Sequence, residues 1–123
     1  MTSFRMTQQA YLILLTLVDE RQHGYGVIKQ VAELSGGDVK LAAGTLYGNL
    51  DRLLAAGMVA ADGEEIVDGR LRRYYRATDL GAQAAQAETE NLARLAARAQ
   101  RLLDRPRGLD RPRGLGRPVL GGA

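Results

Sequence analysis

The hydrophobic positions of the first 103 residues fall into helical stretches separated by short polar breaks. Residues 7–21 predict a first helix that is apolar on almost every face. Its apolar residues are Ala10, Tyr11, Leu12, Ile13, Leu14, Leu15, Leu17 and Val18. A helix that is apolar all round is buried on more than one side. We expect the core on one side of it and a partner subunit on the other.

Two further helices are predicted before residue 58. Apolar residues recur at helical spacing after His23-Gly24, and Ser35-Gly36-Gly37 ends this second helix. Residues 39–41 predict a very short strand. A third helix runs from about Ala43 to Ala56, and Gly57 is a natural C-terminal cap. Its expected buried stripe is Leu46, Leu50, Leu53 and Leu54.

The next segment, residues 58–77, predicts a β-hairpin. Asp62-Gly63 and Asp68-Gly69 are turn dipeptides, and residues 71–77 alternate as strands do. We expect the hairpin loop near residues 65–69.

A long Ala-rich helix follows, with Thr78 as its N-cap and its end near Leu103. Four residues of this helix have the 3-4-3 spacing of a coiled-coil seam and predict dimerisation. They are Leu92, Leu95, Ala99 and Leu102.

Three helices followed by a hairpin and a long helix are the plan of a winged helix-turn-helix protein. The predicted fold class is α+β, mainly α: a winged domain over residues 1–78 and a dimerisation helix over residues 79–103. Residues 104–123 repeat the hexapeptide DRPRGL and are rich in Arg, Pro and Gly, which predicts a disordered tail. The tail is either a basic arm that touches nucleic acid or, as we favour, an extension without a role.

Composition excludes several classes of protein. A chain of 123 residues fits one domain plus an appendage. The chain has no Cys, which excludes a disulfide, a Cys-ligated zinc site and a thiol nucleophile. With only a single His as well, we expect no metal, no cofactor and no catalytic group. The longest apolar run, residues 10–18, is too short to span a membrane and has no cleavage signal after it, so we expect a cytoplasmic protein.

The positive charge is local rather than general. The net charge is +3, but residues 104–123 contain five Arg and two Asp, so the first 103 residues hold 12 basic and 12 acidic side chains. Binding to an acidic partner must therefore depend on a cluster. The densest cluster is Arg70, Arg72, Arg73 and Arg76.

The third helix and the hairpin predict a DNA-binding surface. If the Leu stripe is buried, the opposite face of the helix presents Thr45, Gly48, Asn49 and Arg52. These side chains suit phosphates and base edges, glycine permits close approach to a groove, and the Tyr47 hydroxyl lies at the edge of the stripe. The free N–H groups at the start of the helix suit a phosphate. The hairpin arginines either contact DNA, as we favour, or form a solvated face paired with Glu64, Glu65 and Asp68.

The segments HGYGVIKQV, AAGTLYGNLDRLLAAGMV and GRLRRYYRATDLG, in this order, resemble the PadR family of bacterial transcriptional regulators. The resemblance covers about residues 6–103, and GTLY followed by RRYYR-x-T is its most specific part. It implies a homodimer that binds operator DNA, usually as a repressor, with a last helix that pairs with its mate and with the first helix. The single last helix resembles the smaller subgroup. Ala42 and Ala43 stand where the family commonly has Ser or Thr and then Pro, so one capping hydroxyl is missing.

The predicted function is therefore a homodimeric DNA-binding regulator, a repressor that reads a pseudo-palindromic operator. The alternative is a winged-helix protein-interaction module that reads no DNA. Some relatives bind aromatic molecules between subunits, which makes Tyr11, Leu15 and Leu92 candidates for an effector pocket. The same residues serve equally as a dry dimer core. His23 is either an effector ligand or proton switch or, as we favour, a hydrogen-bonding residue at a helix end.

Overall fold

The computed structural model describes residues 4–106 and has the predicted α+β, mainly α, architecture. The elements are α1 (Gln8–Asp19), β1 (Gln22–His23), α2 (Gly24–Leu34), α3 (Ala43–Ala55), β2 (Val59–Val67), β3 (Arg70–Ala77) and α4 (Asp79–Leu103). The strands form one antiparallel sheet in the order β1-β3-β2. Of the predicted disordered tail, residues 107–123 lie outside the described part of the chain.

The core lies among α1, α2 and α3. Its fully buried apolar side chains are Ile13, Leu14, Val27, Val31, Leu46, Leu50 and Leu53. Three of the four predicted stripe positions of α3 are thus confirmed. The prediction for Leu54 is wrong, since its side chain is 36% exposed. Leu54 lies beside Ala61 and Tyr75 of the sheet, which cover it only in part.

Local hydrogen bonds end α3 and start α4 at one place. Gly57 adopts φ +75°, which favours glycine, and the N–H of Met58 donates to the Leu53 carbonyl at 2.9 Å. The Thr78 Oγ1 accepts from the N–H of Gly81 at 3.1 Å and donates to the Gly57 carbonyl at 2.6 Å. The predicted caps at Gly57 and Thr78 are confirmed, and together they join the two helices.

Short strands account for two differences from the prediction, one at the end of the first helix and one at residues 39–41. The first helix ends at Asp19 and not at residue 21, because residues 22–23 pair with Tyr75 and Tyr74 of β3 as strand β1. Residues 39–41 form no strand, and no neighbouring strand pairs with them in the described part of the chain. Leu41 is buried there in an irregular connection. Short strands depend on a partner that the local sequence does not reveal.

The hairpin is longer and its turn tighter than predicted. Glu65 pairs with Arg72, Ile66 with Leu71 and Val67 with Arg70, so the expected loop over residues 65–69 is wrong in extent. Only Asp68 and Gly69 form the turn, with φ +53° and +76°, as two-residue hairpin turns require. Asp62-Gly63 is not a turn but a bulge, at which the register shifts between Ala61 and Glu64.

The chain divides into two compact units, one up to Glu90 and one from Asn91. The first turns of α4 belong to the first unit, in which Gly81 and Ala85 are buried. The predicted boundary after residue 78 falls between β3 and α4, whereas the boundary between the two compact units falls within α4. Between residues 4 and 106, no helix combines the length and the apolarity that are needed to cross a membrane.

Candidate nucleic-acid interface

The face of α3 that lies opposite the core is open and polar. Thr45 and Arg52 are exposed, and Tyr47 is 47% exposed. No atom lies within 4 Å of the position that a Cβ would occupy on Gly48. Because α-helical residues advance by about 100°, Thr45, Gly48 and Arg52 share one side of the helix. This ridge is free to approach a flat or grooved partner.

Asn49 does not belong to this exposed ridge, so its predicted outward orientation is wrong. Its side chain is only 3% exposed. It lies about 40° around the helix from the buried Leu53, at the edge of the core stripe. Its amide donates to the Thr45 carbonyl at 2.9 Å, and its Oδ1 accepts from the Arg52 guanidinium at 2.7 Å. Asn49 therefore orients Arg52 instead of facing a partner.

Two helix N-termini without side-chain caps accompany the ridge. His23 before α2 and Ala42 before α3 make no capping hydrogen bond through their side chains. The first N–H groups of a helix have no partner inside the helix and favour anions. Ala42 and Ala43 are exposed, so the start of α3 is open to a phosphate.

Gly24, the first residue of α2, lies against Tyr47 of α3. A Cβ on Gly24 would overlap the Tyr47 hydroxyl and lie 3.0 Å from its Cζ. The absence of a side chain at Gly24 thus leaves room for the Tyr47 hydroxyl at the start of α2. This pairing was not predicted from the sequence, in which His23-Gly24 appeared only as a helix break.

The hairpin, or wing, carries the four predicted arginines in different environments. Arg70, Arg73 and Arg76 are exposed, whereas Arg72 is partly buried. The Nε of Arg73 lies 3.4 Å from Glu64 Oε2, which matches the alternative of a paired, solvated face for this residue. Among residues 4–106, no acidic group lies within ion-pair distance of Arg70, Arg72 or Arg76. These three charges are available to a partner.

A cleft of about 670 Å³ connects the wing with the helices. It is lined by His23, Gly24 and Tyr25 at the start of α2, by Tyr47 of α3, and by wing residues that include Arg70 and Arg72. Arginine, a tyrosine hydroxyl and an uncapped helix start are all groups that bind phosphate oxygens.

His23 in the wall of this cleft has a pKa below its ordinary value. Burial lowers the pKa of His23 below 6.5, the nearby Arg72 lowers it further, and Glu65 opposes the shift. The ring packs edge-on against Tyr74 with centroids 5.5 Å apart, and its Nε2 is buried without a hydrogen-bond partner among the described residues. Between residues 4 and 106, no group of three or more His, Asp and Glu side chains could hold a metal ion.

The predicted dimer seam lies within the second compact unit, which begins at Asn91. Leu92, Leu95 and Leu102 are 40%, 54% and 58% exposed, and Ala99 is partly buried. Exposed leucines along one helix are expected to be covered by another surface.

The residues of the predicted effector pocket lie in different settings. The Tyr11 hydroxyl hydrogen-bonds to Thr89 Oγ1 at 2.7 Å. Leu15 lines a separate cavity of about 560 Å³ between α1 and α2, together with Thr16, Asp19, Gln30, Glu33 and Leu34. Leu92 belongs to the second compact unit. An effector site at these residues stays a prediction.

A short antiparallel wing beside an exposed third helix defines a winged helix-turn-helix protein. The family model described as Transcriptional regulator PadR-like family matches residues 13–87. The chain belongs to the PadR-like family of transcriptional regulators, so the expected membership is confirmed. It is a transcriptional regulator and not an enzyme.

The relatives agree with this assignment. The chain is 35% identical over 96 residues to Transcriptional regulator Rv3488 of Mycobacterium tuberculosis, covering 78% of this chain and 86% of that protein. The crystal structure of a PadR family transcriptional regulator from Eggerthella lenta superposes with TM-score 0.65 at 27% identity, over 79% of this chain and 82% of that one. Bacillus subtilis PadR, solved in complex with operator DNA, has the same fold, with TM-score 0.60, 22% identity and coverage of 69% of this chain and 48% of that one.

Proposed function

We propose that the chain binds duplex DNA as a homodimer and represses transcription from a pseudo-palindromic operator. One observation carries the proposal: the exposed ridge of α3 adjoins a cleft in which Arg70, Arg72 and Tyr47 lie beside an uncapped helix start. The ridge presents Thr45 and Gly48 to the base edges of a major groove and Arg52 to a phosphate beside it. The cleft and the wing arginines bind the phosphates on either side. Bacillus subtilis PadR, a protein of the same fold, was solved in complex with operator DNA, which supports binding of DNA by this fold.

The exposed seam of α4 supports the homodimer. Leu92, Leu95 and Leu102 would remain in contact with water in a single chain. A homodimer that reads a pseudo-palindrome must hold its two α3 ridges about one DNA turn, roughly 34 Å, apart. Leu95→Asp should give monomers in sedimentation velocity and weaken DNA binding. A monomeric wild-type protein would contradict this part of the proposal.

Selection from a pool of random-sequence duplexes tests recognition of DNA directly. We expect an enriched sequence with two-fold symmetry. Binding to that duplex, followed by fluorescence anisotropy, should weaken steeply between about 50 and 200 mM salt, because each neutralised phosphate adds about 0.9 to the slope of log K against log salt.

Matched variants identify the phosphate contacts. Arg72→Ala and Arg52→Ala should each reduce the salt slope by about 1. Lys29→Ala is the control, because Lys29 is an exposed cation of α2 that lines neither the ridge nor the cleft. If the pool yields no preferred sequence and neither arginine affects the slope, the proposal is wrong.

The interaction-module alternative has one specific observation in its favour. Residues 1–103 carry no net charge, and Arg73 is already paired with Glu64. A surface with so little excess charge is weakly attractive to DNA at long range. If the chain binds a protein partner, and this binding does not weaken as salt is added, the interaction-module alternative is favoured.

A further inference from the structure

Arg21, in the link between α1 and β1, reaches across to the wing. Its Nη1 donates to the carbonyl oxygen of Asp62 at 3.0 Å, and its Nη2 lies 3.7 Å from Glu65 Oε2. Its guanidinium carbon lies 4.1 Å from the centre of the Tyr74 ring. The three partners occupy both strands of the hairpin, so one side chain touches β2 and β3 together.

The wing is shaped to receive this side chain. The register shift between Ala61 and Glu64 places the bulge at Asp62-Gly63, next to the guanidinium. Gly63 has φ +91°, and a Cβ there would lie 3.4 Å from Arg21 Nη1. The Tyr74 hydroxyl donates to Glu65 Oε1 at 2.8 Å, which holds the carboxylate that faces Arg21. Arg21, Glu65 and Tyr74 therefore form a closed set of contacts.

The rest of the sheet holds the wing only at its base. Strand β1 pairs with Tyr74 and Tyr75 and with no residue nearer the tip. The hairpin continues beyond these positions for several pairs, up to Val67 and Arg70. A two-stranded ribbon without further support is only marginally stable and twists readily. Arg21 adds support at the bulge, through Asp62, and two pairs nearer the tip, through Glu65.

We propose that Arg21 is a positioning residue that fixes the angle of the wing, and so the distance of Arg70 and Arg72 from the α3 ridge, before a partner binds. This inference rests on the proposed binding of DNA for its functional consequence. Arg21 differs from the tip arginines because its guanidinium is engaged within the protein. It acts on binding through the wing and contributes no phosphate contact of its own.

The first arm of the test uses the free protein and needs no DNA. Hydrogen–deuterium exchange of the amides of residues 64–72 should be faster in Arg21→Ala than in wild type, with unchanged exchange in the buried part of α3. Arg21→Lys should resemble Arg21→Ala, because an ammonium lacks the planar fork that donates to Asp62 while stacking on Tyr74. Tyr74→Phe, which keeps the ring but frees Glu65, should give an intermediate rate.

The second arm measures affinity for the selected duplex at several salt concentrations. Arg21→Ala and Arg21→Lys should each lower the affinity by about three- to tenfold, the loss expected for an exposed cation–π contact and ion pair, and leave the salt slope unchanged. Arg72→Ala, the comparison variant, should lower the slope. The contrast separates positioning from phosphate neutralisation.

Each outcome decides the question. Wild-type exchange of residues 64–72 in Arg21→Ala overturns the inference. Full affinity in Arg21→Lys, or a slope reduced as in Arg72→Ala, shows instead that Arg21 acts through its charge on DNA. If the wild-type protein binds no duplex, the proposed function fails, and the exchange arm still decides whether Arg21 anchors the wing.

Discussion

Substitution of Gly81 by alanine tests the closest approach between α4 and the rest of the winged unit. Gly81 lies in the first turn of α4 and is buried. An added Cβ would overlap the Met58 carbonyl oxygen, lie 2.9 Å from the carbonyl carbon and lie 3.2 Å from Leu14 Cδ2. The Met58 carbonyl cannot simply move away, because it also accepts the N–H of Thr78 at 3.0 Å.

The expected free-energy change follows from three terms of known sign. Alanine favours a helix interior over glycine by about 1 kcal/mol. Overpacking against backbone costs about 1–3 kcal/mol, and loss of the Thr78–Met58 hydrogen bond costs about 1 kcal/mol more. The steric terms exceed the propensity, so Gly81→Ala should lower the free energy of unfolding by about 2 kcal/mol. For a domain of this size that loss lowers Tm by about 8–16 °C.

Gly48→Ala is the matched control, since the same methyl group enters a helix where nothing lies within 4 Å. Propensity then acts alone and should raise the free energy of unfolding by up to about 1 kcal/mol. Both variants would be compared in urea, by circular dichroism at one protein concentration, because the proposed dimerisation would make the stability depend on concentration. A Gly81→Ala protein as stable as wild type would refute the close contact with Met58.

Three further predictions concern the interface. Gly48→Ala, although more stable, should bind the selected duplex more weakly, because its methyl group holds α3 away from the groove. Asn49→Ala should lower the free energy of unfolding by about 1–2 kcal/mol and weaken DNA binding, because Arg52 loses the acceptor that orients it. The free energy of unfolding should fall as the pH drops below 6.5, and His23→Gln should flatten this dependence.

The sign of the pH effect follows from the environment of His23. Burial first, and then Arg72, hold the pKa of folded His23 below its ordinary 6.5, while Glu65 acts in the opposite direction. As the pH falls through 6.5, His23 takes up a proton in the unfolded chain before it does so in the folded chain. The contribution of His23 to the free energy of unfolding is therefore fully present above pH 6.5. It is lost as the pH falls from 6.5 towards the lower pKa that His23 has in the folded state. His23 is the single His of the chain, so a wild-type dependence that survives in His23→Gln would contradict this assignment.

The DNA and asparagine predictions have their own controls. Lys29→Ala, which lies outside the ridge and the cleft, is the control for Gly48→Ala, and a Gly48→Ala protein that binds as tightly as wild type would contradict the role of Gly48 in close approach. The loss of DNA affinity measured for Arg52→Ala is the reference with which the loss for Asn49→Ala is compared. If Asn49→Ala binds as well as wild type, Arg52 does not depend on the amide for its orientation.

The sequence alone determined the features that depend on neighbours a few residues away. The apolar spacing of Leu46, Leu50 and Leu53 defined the buried side of α3, because a helix repeats every 3.6 residues. Gly57 and Thr78 marked helix ends, because the hydrogen bonds that cap each helix join residues no more than five positions apart. Asp68-Gly69 marked the position of the wing turn in the same way, although the strands continue to residues 67 and 70, inside the expected loop.

Only the tertiary structure decided what depends on residues distant in the chain. Strand β1 exists because Tyr74 and Tyr75 pair with it, and the environment of Leu54 was set by the sheet beside it. Asn49 sits at the margin of the Leu stripe, where periodicity cannot choose between core and surface. Arg21 meets its wing partners across more than 40 positions, at distances that no local pattern encodes. Hydrophobic periodicity and helix capping depend on residues within one or two helical turns. Strand pairing, and the burial of side chains at the edge of a core stripe, depend on how distant elements pack together.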